Sequence, residues 1–445
     1  MRRRPIQIIV ALATSALVLA TQGFGILGTN SDTSVGSVPA APADAAAQIS
    51  RASGASLQQV VDRLESRVAD TPGDYVAHAT LALAYVQLAR VTINPSYYPK
   101  AEQAVADSLA INDSDNYLAY AGGAALAAGR HRFPLAQELA TKGLAINPYS
   151  ALLYGILSDA QVQRGNYQAG SDSVQKMLDL RPDTASLSRA SYAFEIRGDL
   201  RRAGELMQRA LDDAPTGADR AFALYHLGQL AFEAGDPEAA LEYQLAALAA
   251  SPDDAAAQFG RAMAEAALGQ TELALGHFAE LVERVPDPAY FAAYGRLLES
   301  LGRISEAETQ YSAIAAAAKA FASNGELPDT DAVFLQIQTG LVDEAIAAAE
   351  VVMETRPFIR THDAYAWALH AAGRDEEALL ESEAALALGT RFAVFYYHSG
   401  MIKLALGDTA GARADLEEAM AINPFFDPLD AVIARQTLQT LNGGE

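Results

Sequence analysis

The 445-residue sequence predicts an all-α fold in which one pair of helices is repeated along the chain. Eight glycines recur at intervals of 33 to 38 residues: Gly165, Gly198, Gly235, Gly269, Gly302, Gly340, Gly373 and Gly407. Six prolines each stand 17 residues after one of them: Pro182, Pro215, Pro252, Pro286, Pro357 and Pro424. Between them, apolar residues recur at three- and four-residue steps, the spacing of amphipathic helices. A unit of this size cannot bury its apolar face alone, so successive copies are expected to stack.

Residues 221–254 illustrate the two helices of one unit. Gly235 can adopt the left-handed backbone conformation that ends the first helix. Asp236 and Pro237 then supply an N-cap and a first-turn proline for the second helix. Pro252 closes that second helix. The unit is therefore predicted to be a helix-turn-helix with a short, well-defined turn.

Small residues stand where the two helices of a unit must approach closely: Gly228 with Ala240, Ser191 with Ala203, Gly295 with Ala307, and Gly400 with Ala412. A small residue, a glycine seven positions later, an alanine five further and a proline twelve beyond resembles the tetratricopeptide repeat. The resemblance implies a right-handed superhelical solenoid of about ten helix-turn-helix repeats with a C-terminal capping helix. It is typical of bacterial exported or membrane-anchored proteins that carry many such repeats.

In this frame the solenoid spans residues 57–424. The ten copies lie near 74–113, 115–148, 151–182, 184–215, 221–252, 255–286, 288–320, 326–357, 359–390 and 393–424. Three places depart from the pattern: an insertion at 91–99, extra residues around Arg130–Arg132, and an alanine-rich extension from Ala315 to Gly325. Residues 425–445 are predicted to be the capping helix and tail that shield the last apolar face.

Residues 1–28 are predicted to be a signal peptide or an N-terminal membrane anchor. Three arginines precede an apolar run from Ile6 to Ala20, and no charged residue follows Arg4 until Asp32. This charge pattern sends the following chain across the membrane, so the protein is expected outside the cytoplasm, secreted or periplasmic if cleaved and attached to the cytoplasmic membrane if not. The pattern leaves cleavage open, with a slight preference for a retained anchor. Residues 29–56 are predicted to be a disordered tether rich in Ala, Ser and Pro.

The composition restricts the classes of partner. No cysteine is present, which excludes disulfides and a lipid-modified N-terminus. Apart from the N-terminal arginines, 29 basic residues face 55 acidic ones, a formal charge near −26. Nucleic acid and anionic lipid are therefore not expected as partners. Many of the acids lie on second helices, where they favour a solvated outer face.

In the repeat that this sequence resembles, the first helix of each unit lines a concave groove. The resemblance places ten large side chains there: Tyr192, Phe222, Tyr225, Phe232, Phe259, Met263, Phe334, Trp367, Tyr397 and Met401. Such a stripe is typical of a surface that binds an apolar or amphipathic protein segment. The alternative is that the curvature of the solenoid buries them between neighbouring first helices. Arg296 and Glu299 could set the register of a partner or pair with each other.

One polar cluster remains: His362, Asp363, His370 and His398. Imidazoles beside a carboxylate can hold a metal or transfer protons, but no established ligand spacing is present and ordinary paired histidines are favoured. No phosphate-binding loop, dinucleotide motif or nucleophile elbow occurs. We expect no catalytic residue, no metal and no cofactor, and the protein is not predicted to be an enzyme.

The sequence thus favours an extracytoplasmic scaffold that binds an unidentified protein or peptide segment through its concave groove. An alternative is an envelope protein that binds a small ligand or glycan in the same groove. Homo-oligomers are possible, because a solenoid with an imperfect cap can stack end to end. Fold alone does not decide between these functions.

Overall fold

The computed structural model describes residues 54–443, and over that range the chain folds into 22 α-helices without a strand. Helix α1 (Gly54–Asp70) precedes ten helix pairs, and α22 (Asp430–Gly443) follows them. The predicted all-α solenoid with a C-terminal capping helix is confirmed. The predicted signal peptide or anchor lies outside the described residues, as does the predicted tether except for its last three residues, which begin α1.

The first five pairs are α2 (Tyr75–Val91) with α3 (Tyr97–Ile111), α4 (Tyr117–Gly129) with α5 (Phe133–Ile146), α6 (Ala151–Gln163) with α7 (Tyr167–Leu180), α8 (Thr184–Glu195) with α9 (Leu200–Asp212), and α10 (Gly217–Glu233) with α11 (Pro237–Ala250). The last five are α12 (Ala255–Ala267) with α13 (Thr271–Arg284), α14 (Pro288–Ser300) with α15 (Ile304–Ser323), α16 (Thr330–Gln338) with α17 (Val342–Thr355), α18 (Ile359–Ala371) with α19 (Asp375–Leu386), and α20 (Ala393–Ala405) with α21 (Thr409–Ile422). Among the helices described here, none is both long and apolar enough to cross a membrane.

Local chemistry explains where these helices begin and end. The first helices of pairs one to eight start at a side-chain cap, from Asp74, Asn116, Ser150, Asp183, Thr216, Asp254, Asp287 and Asp329 in turn. Each cap accepts a hydrogen bond from an otherwise unpaired amide of the first turn. We call the eight glycines that recur along the sequence, from Gly165 to Gly407, the ladder glycines. All have φ between 71° and 82°, as the sequence predicts for residues that end the first helix.

Within a pair, the small residues allow the helices to touch. A Cβ added to Gly400 would lie 2.8 Å from Leu416 Cγ, and one added to Gly295 would lie 2.4 Å from the Tyr311 ring. Ser191 Oγ donates a hydrogen bond to the Ala203 carbonyl at 2.8 Å across the same interface. The close approach predicted from these positions is confirmed.

The solenoid also folds back onto itself, which the repeat pattern does not predict. Side chains 191 to 196 positions apart form hydrogen bonds: Arg132 with Gly325, His131 with Leu327, Gln163 with Arg356, Tyr167 with Ile359, and Asn423 with Phe232. We call these the closure contacts. They join the turns inside pairs two to five to the loops that follow pairs seven to ten. One superhelical turn therefore rests on the next.

The ladder glycines divide into two groups at this contact. A Cβ on Gly165 or Gly198 would lie 2.6 Å from Pro357 O or 2.4 Å from Gly389 O, respectively. Five others have no atom within 4 Å of that position: Gly269, Gly302, Gly340, Gly373 and Gly407. We call the turns that contain these five glycines the free edge. It belongs to pairs six to ten, and no later turn of the solenoid covers it.

Two departures from the repeat pattern meet at the closure contacts. The turn of the second pair has His131 in place of a ladder glycine, with φ at 57°, and its Nδ1 donates to Leu327 O at 3.2 Å. Leu327 N–H donates in turn to Arg130 O at 3.2 Å. Leu327 follows the alanine-rich extension, which the structure makes the last part of α15 and the loop after it. The extension therefore reaches back to the second pair.

Arg296 and Glu299 do not pair with each other. Arg296 is fully buried, and its Nε donates to Asp427 Oδ2 at 2.7 Å and its Nη2 to Asp430 Oδ2 at 2.8 Å. Glu299 instead accepts from Tyr311 at 2.8 Å and Gln338 at 2.9 Å. Arg296 thus attaches the seventh pair to the start of the capping helix.

Candidate functional site

The structure places most of the predicted aromatic stripe in the interior. Seven of its ten side chains are buried: Tyr192, Phe222, Tyr225, Phe259, Phe334, Trp367 and Tyr397. Phe232, Met263 and Met401 are half-buried. These residues therefore do not line an open groove. Instead, the structure shows the alternative expected from the sequence, in which they are buried between neighbouring first helices. The binding role assigned to the ten residues stays a prediction.

Packing between first helices explains this burial. Trp367 and Tyr397, from successive first helices, have ring centroids 5.9 Å apart within one hydrophobic cluster. Phe259 stacks on Tyr290 of the next first helix at 5.0 Å. A tightly curved solenoid brings adjacent first helices together on its concave side, and the aromatic rings fill the space between them.

Closure leaves the rest of the concave side as a partly open cavity of about 390 Å³. Pairs one, two, three, five, six, seven and eight contribute to its wall, together with the loop after α15. Aromatic side chains of the wall are Tyr98, Phe222, Tyr225, Tyr290 and Phe321. The volume is within the range of small-molecule sites. It is too small for a helical protein segment, whose diameter alone is about 10 Å.

Six carboxylic acids line the cavity: Asp159, Asp254, Asp287, Glu326, Asp329 and Asp331. Burial raises the pKa of Asp254 and of Asp287 to about 6. Burial and the neighbouring Asp329 raise the pKa of Glu326 to about 9. Burial and the carboxyls of Asp329 and Asp287 also raise the pKa of Asp331. Such shifts mean that positive charge nearby is insufficient to offset the desolvation of these carboxylates.

Arginines near the cavity compensate part of this charge: Arg356 acts on Glu326 and Asp331, and Arg360 acts on Asp331, but the pKa values of both acids stay raised. Arg189 forms a two-pronged bond to Asp159, at 2.9 and 2.8 Å. His131 lines the cavity, but burial and Arg356 lower its pKa to about 4, so it is neutral at physiological pH. Arg90 is the other basic residue of the wall. The cavity is therefore apolar in most of its area and acidic in its polar part.

The histidine cluster resolves into three separate pairs. His398 Nδ1 lies 2.8 Å from Asp363 Oδ1, with both side chains buried and Trp367 stacked on the imidazole at 4.1 Å. His362 pairs with Glu381 at 2.6 Å and His370 with Asp375 at 2.5 Å. Only His398 and Asp363 of the four predicted residues thus come together. Over residues 54–443, no group of three or more potential ligand side chains could hold a metal ion.

Sequence reasoning missed the acidic side chains of the cavity. Asp254, Asp287 and Asp329 are helix caps, so their sequence context has a complete local explanation. Glu326 and Asp331 stand in and after an irregular loop, where repeat spacing gives no information. The three caps occupy the same position in the repeat, just before each of three successive first helices. This shared position is the only signal in the sequence that could have indicated that they line one cavity.

Comparison with known proteins identifies the repeat. One family model described as tetratricopeptide repeat matches residues 197–255 and 225–287, and a second with the same description matches 393–426. No curated protein matches the sequence.

Solved structures that resemble the chain include a tetratricopeptide repeat protein from Parabacteroides merdae, 21% identical over 58% of this chain and 98% of that one, with a TM-score of 0.34. YrrB, described as a TPR protein with an unusual peptide-binding site, is 20% identical over 41% of this chain and 93% of its own, with a TM-score of 0.28. A human IFIT1 dimer with m7Gppp-AAAA is 16% identical over 75% and 78%, with a TM-score of 0.48.

Proposed function

We propose that this tetratricopeptide repeat protein is a protein-interaction scaffold that acts outside the cytoplasm and binds its partner along the free edge. One observation carries the proposal. The turns of pairs two to five are covered by later parts of the chain, whereas the equivalent turns of pairs six to ten are not. The uncovered turns expose Leu301, Leu341 and Leu406 by 44%, 48% and 37%. Large apolar side chains grouped on one edge favour a protein contact.

The charge around the free edge indicates what the partner presents. The first turns of the second helices of pairs six to nine carry Glu272, Glu306, Asp343, Glu344, Asp375, Glu376 and Glu377. Glu306, Glu377 and Asp375 pair with Arg303, Arg374 and His370, and the other four form no ion pair within residues 54–443. A partner segment with apolar anchors flanked by lysine or arginine would complement both features. Within the stripe, the half-buried Phe232, Met263 and Met401 are the most exposed and remain available for such a contact.

Substitution at the free edge tests the proposal. The full chain, with a C-terminal affinity tag, is expressed in its native host and captured from detergent-solubilised envelope. We expect Leu301→Ser with Leu406→Ser to lose a protein that the unsubstituted chain captures. Leu245→Ser with Leu380→Ser is the matched control, because these leucines are 50% and 66% exposed and lie within α11 and α19, outside the turns that form the free edge.

The proposal that the free edge binds the partner would be overturned if both variants captured the protein equally well. It would also be overturned if neither the unsubstituted chain nor the control captured any protein. A basic partner further implies weaker capture at high salt, since exposed charge pairs are screened.

The extracytoplasmic location rests on the charge pattern of residues 1–28. A fusion of this segment to alkaline phosphatase, which is active only after export, is expected to be active in the native host. An inactive fusion would contradict this location. The mass of the mature chain then distinguishes a cleaved signal peptide from a retained anchor.

A further inference from the structure

We propose that the interior cavity binds an organic cation, an amine with an apolar or aromatic body. This site is separate from the free edge and goes beyond the scaffold function. Binding of such a ligand requires a space of suitable size, walls that accept an apolar body, and carboxyl groups that lack an opposite charge. The cavity of about 390 Å³ satisfies the first condition.

The walls satisfy the second condition. Phe222, Tyr225, Tyr290 and Phe321 line the cavity together with Ile314 and Leu327. Aromatic faces attract cations through the ring quadrupole, and this attraction is largest where water is excluded. An ammonium group with a hydrocarbon body would therefore find favourable contacts for both of its parts.

The carboxylates satisfy the third condition. Asp254, Asp287 and Asp329 accept one cap hydrogen bond each from backbone amides, which leaves acceptor capacity on each carboxylate. Within residues 54–443, neither Glu326 nor Asp331 forms an ion pair with a lysine or arginine, and Glu326 Oε2 has no hydrogen-bond partner. A bound cation would supply the missing opposite charge.

A buried hydroxyl gives independent support. Tyr225 lines the cavity and is 1% exposed, yet its hydroxyl has no hydrogen-bond partner. A buried hydroxyl without a partner costs about 1–3 kcal/mol, so such groups are normally satisfied by protein, water or ligand. The ammonium hydrogens or a polar substituent of the ligand could satisfy it.

The chemistry excludes other occupants. A metal ion would need several ligand side chains at close range, and no group of three potential ligands occurs over the described part of the chain. An anion is disfavoured because the wall has six acids and one arginine, Arg90, although Glu326, with its pKa raised to about 9, adds no negative charge at neutral pH. A neutral sugar would leave the carboxylates without a counter-charge.

The mouth of the cavity is built by the alanine-rich extension. Ala318 and Ala322 of α15 and Pro328 of the following loop line the cavity and are exposed. Their exposure puts this segment at the boundary between the cavity and solvent. The departure from repeat spacing in the seventh copy therefore shapes a site, in addition to its contact with the second pair.

Three probes with related apolar bodies test the charge requirement: 2-phenylethylammonium, 2-phenylethanol and 3-phenylpropanoate. Titration calorimetry uses the purified full chain, in detergent if it purifies with the membrane. We expect one ammonium per chain, bound at least about tenfold more tightly than the alcohol, and no binding of the carboxylate. No ammonium binding, or equal affinity for the ammonium and the alcohol, would overturn the proposal.

Two variants locate the site. Asp331→Asn keeps the volume of the side chain and should weaken ammonium binding about tenfold, because a bound ammonium lowers the raised pKa of Asp331 and pairs with its carboxylate, whereas an amide cannot ionise. Asp343→Asn is its matched control, because Asp331 and Asp343 both lie in the first turn of a helix but Asp343 is exposed. Ala322→Trp places a large side chain at the exposed mouth and should abolish or slow binding. Equal affinities in all three variants would mean that the ammonium binds elsewhere.

Discussion

At the residue scale, Arg296 shows that a residue at a well-defined position in the repeat can have a role that the repeat pattern does not predict. Its place on a first helix suggested a groove residue. Its partners Asp427 and Asp430 lie 131 and 134 positions away, at the start of the capping helix. A buried guanidinium requires opposite charge nearby, and here the last element of the fold supplies it.

Glu195 is a single residue that should make the stability of the protein depend on pH. Burial, with the nearby Glu233 carboxyl, raises the pKa of Glu195 to about 8, above its ordinary value of 4.5. The folded state therefore binds a proton that the unfolded state has released between these two pH values. Stability contributed by the protonated side chain is fully present below pH 4.5 and is lost as pH rises through 8.

We expect the free energy of unfolding to fall with rising pH across this window, by at most about 1.4 kcal/mol per pH unit from this group. Glu195→Gln should flatten the slope, since a neutral amide does not titrate. Urea unfolding at several pH values measures it, with Glu205→Gln, an exposed residue, as the control. If the two variants keep the same slope as the unsubstituted chain, the pH dependence does not come from Glu195.

At the scale of elements, most helix bounds follow from chemistry within a few residues. Caps, ladder glycines and prolines act on the turn that contains them, so their effects can be predicted without the rest of the chain. Contact between the two helices of a pair is nearly as local, because its members stand twelve to sixteen positions apart. Gly400 and Leu416 illustrate it.

Two helical glycines test this contact. Gly276 has nothing within 4 Å of a Cβ, so Gly276→Ala should stabilise the protein by up to about 1 kcal/mol through helix propensity alone. Gly400→Ala has the same gain but places its methyl group 2.8 Å from Leu416 Cγ, and we expect a net loss of about 1–2 kcal/mol. Thermal and urea unfolding compare them. Stabilisation by both substitutions would show that the pair can relax around the methyl group.

At the scale of the whole molecule, the closure contacts decide which surfaces are covered. Most pairs have a similar turn, but within residues 54–443 the turns of pairs two to five meet a later part of the chain, whereas those of pairs six to ten do not. The same closure produces the cavity, because it brings the end of α15 against the first two pairs. The free edge and the cavity are thus consequences of one superhelical arrangement.

Substitutions at Gly198 and Gly269 distinguish two roles of a ladder glycine, namely allowing a positive φ in its own turn and allowing close contact with a later part of the chain. Both have positive φ, 75° and 73°, so replacement by alanine should cost about 1–2 kcal/mol at either position. Alanine at Gly198 would also place its methyl group 2.4 Å from Gly389 O, where a backbone atom must move. We expect Gly198→Ala to lose at least about 1 kcal/mol more than Gly269→Ala in urea unfolding.

Small-angle X-ray scattering gives the second readout. Gly198→Ala should increase the radius of gyration by separating the superhelical turns, while Gly269→Ala should not. Equal stability losses with unchanged radii would mean that the two turns do not rest on each other in solution.

The sequence by itself determined the helix pairs, their turns and the capping helix, because the residues responsible act within one unit or on the next. Only the tertiary structure decided that the concave side is closed, that seven aromatic side chains of the predicted stripe are buried, and that Glu326 and Asp331 share a cavity with three helix caps. The physical reason is that small rotations between successive repeats accumulate. Whether residues some 190 positions apart meet depends on their sum, which no single repeat encodes.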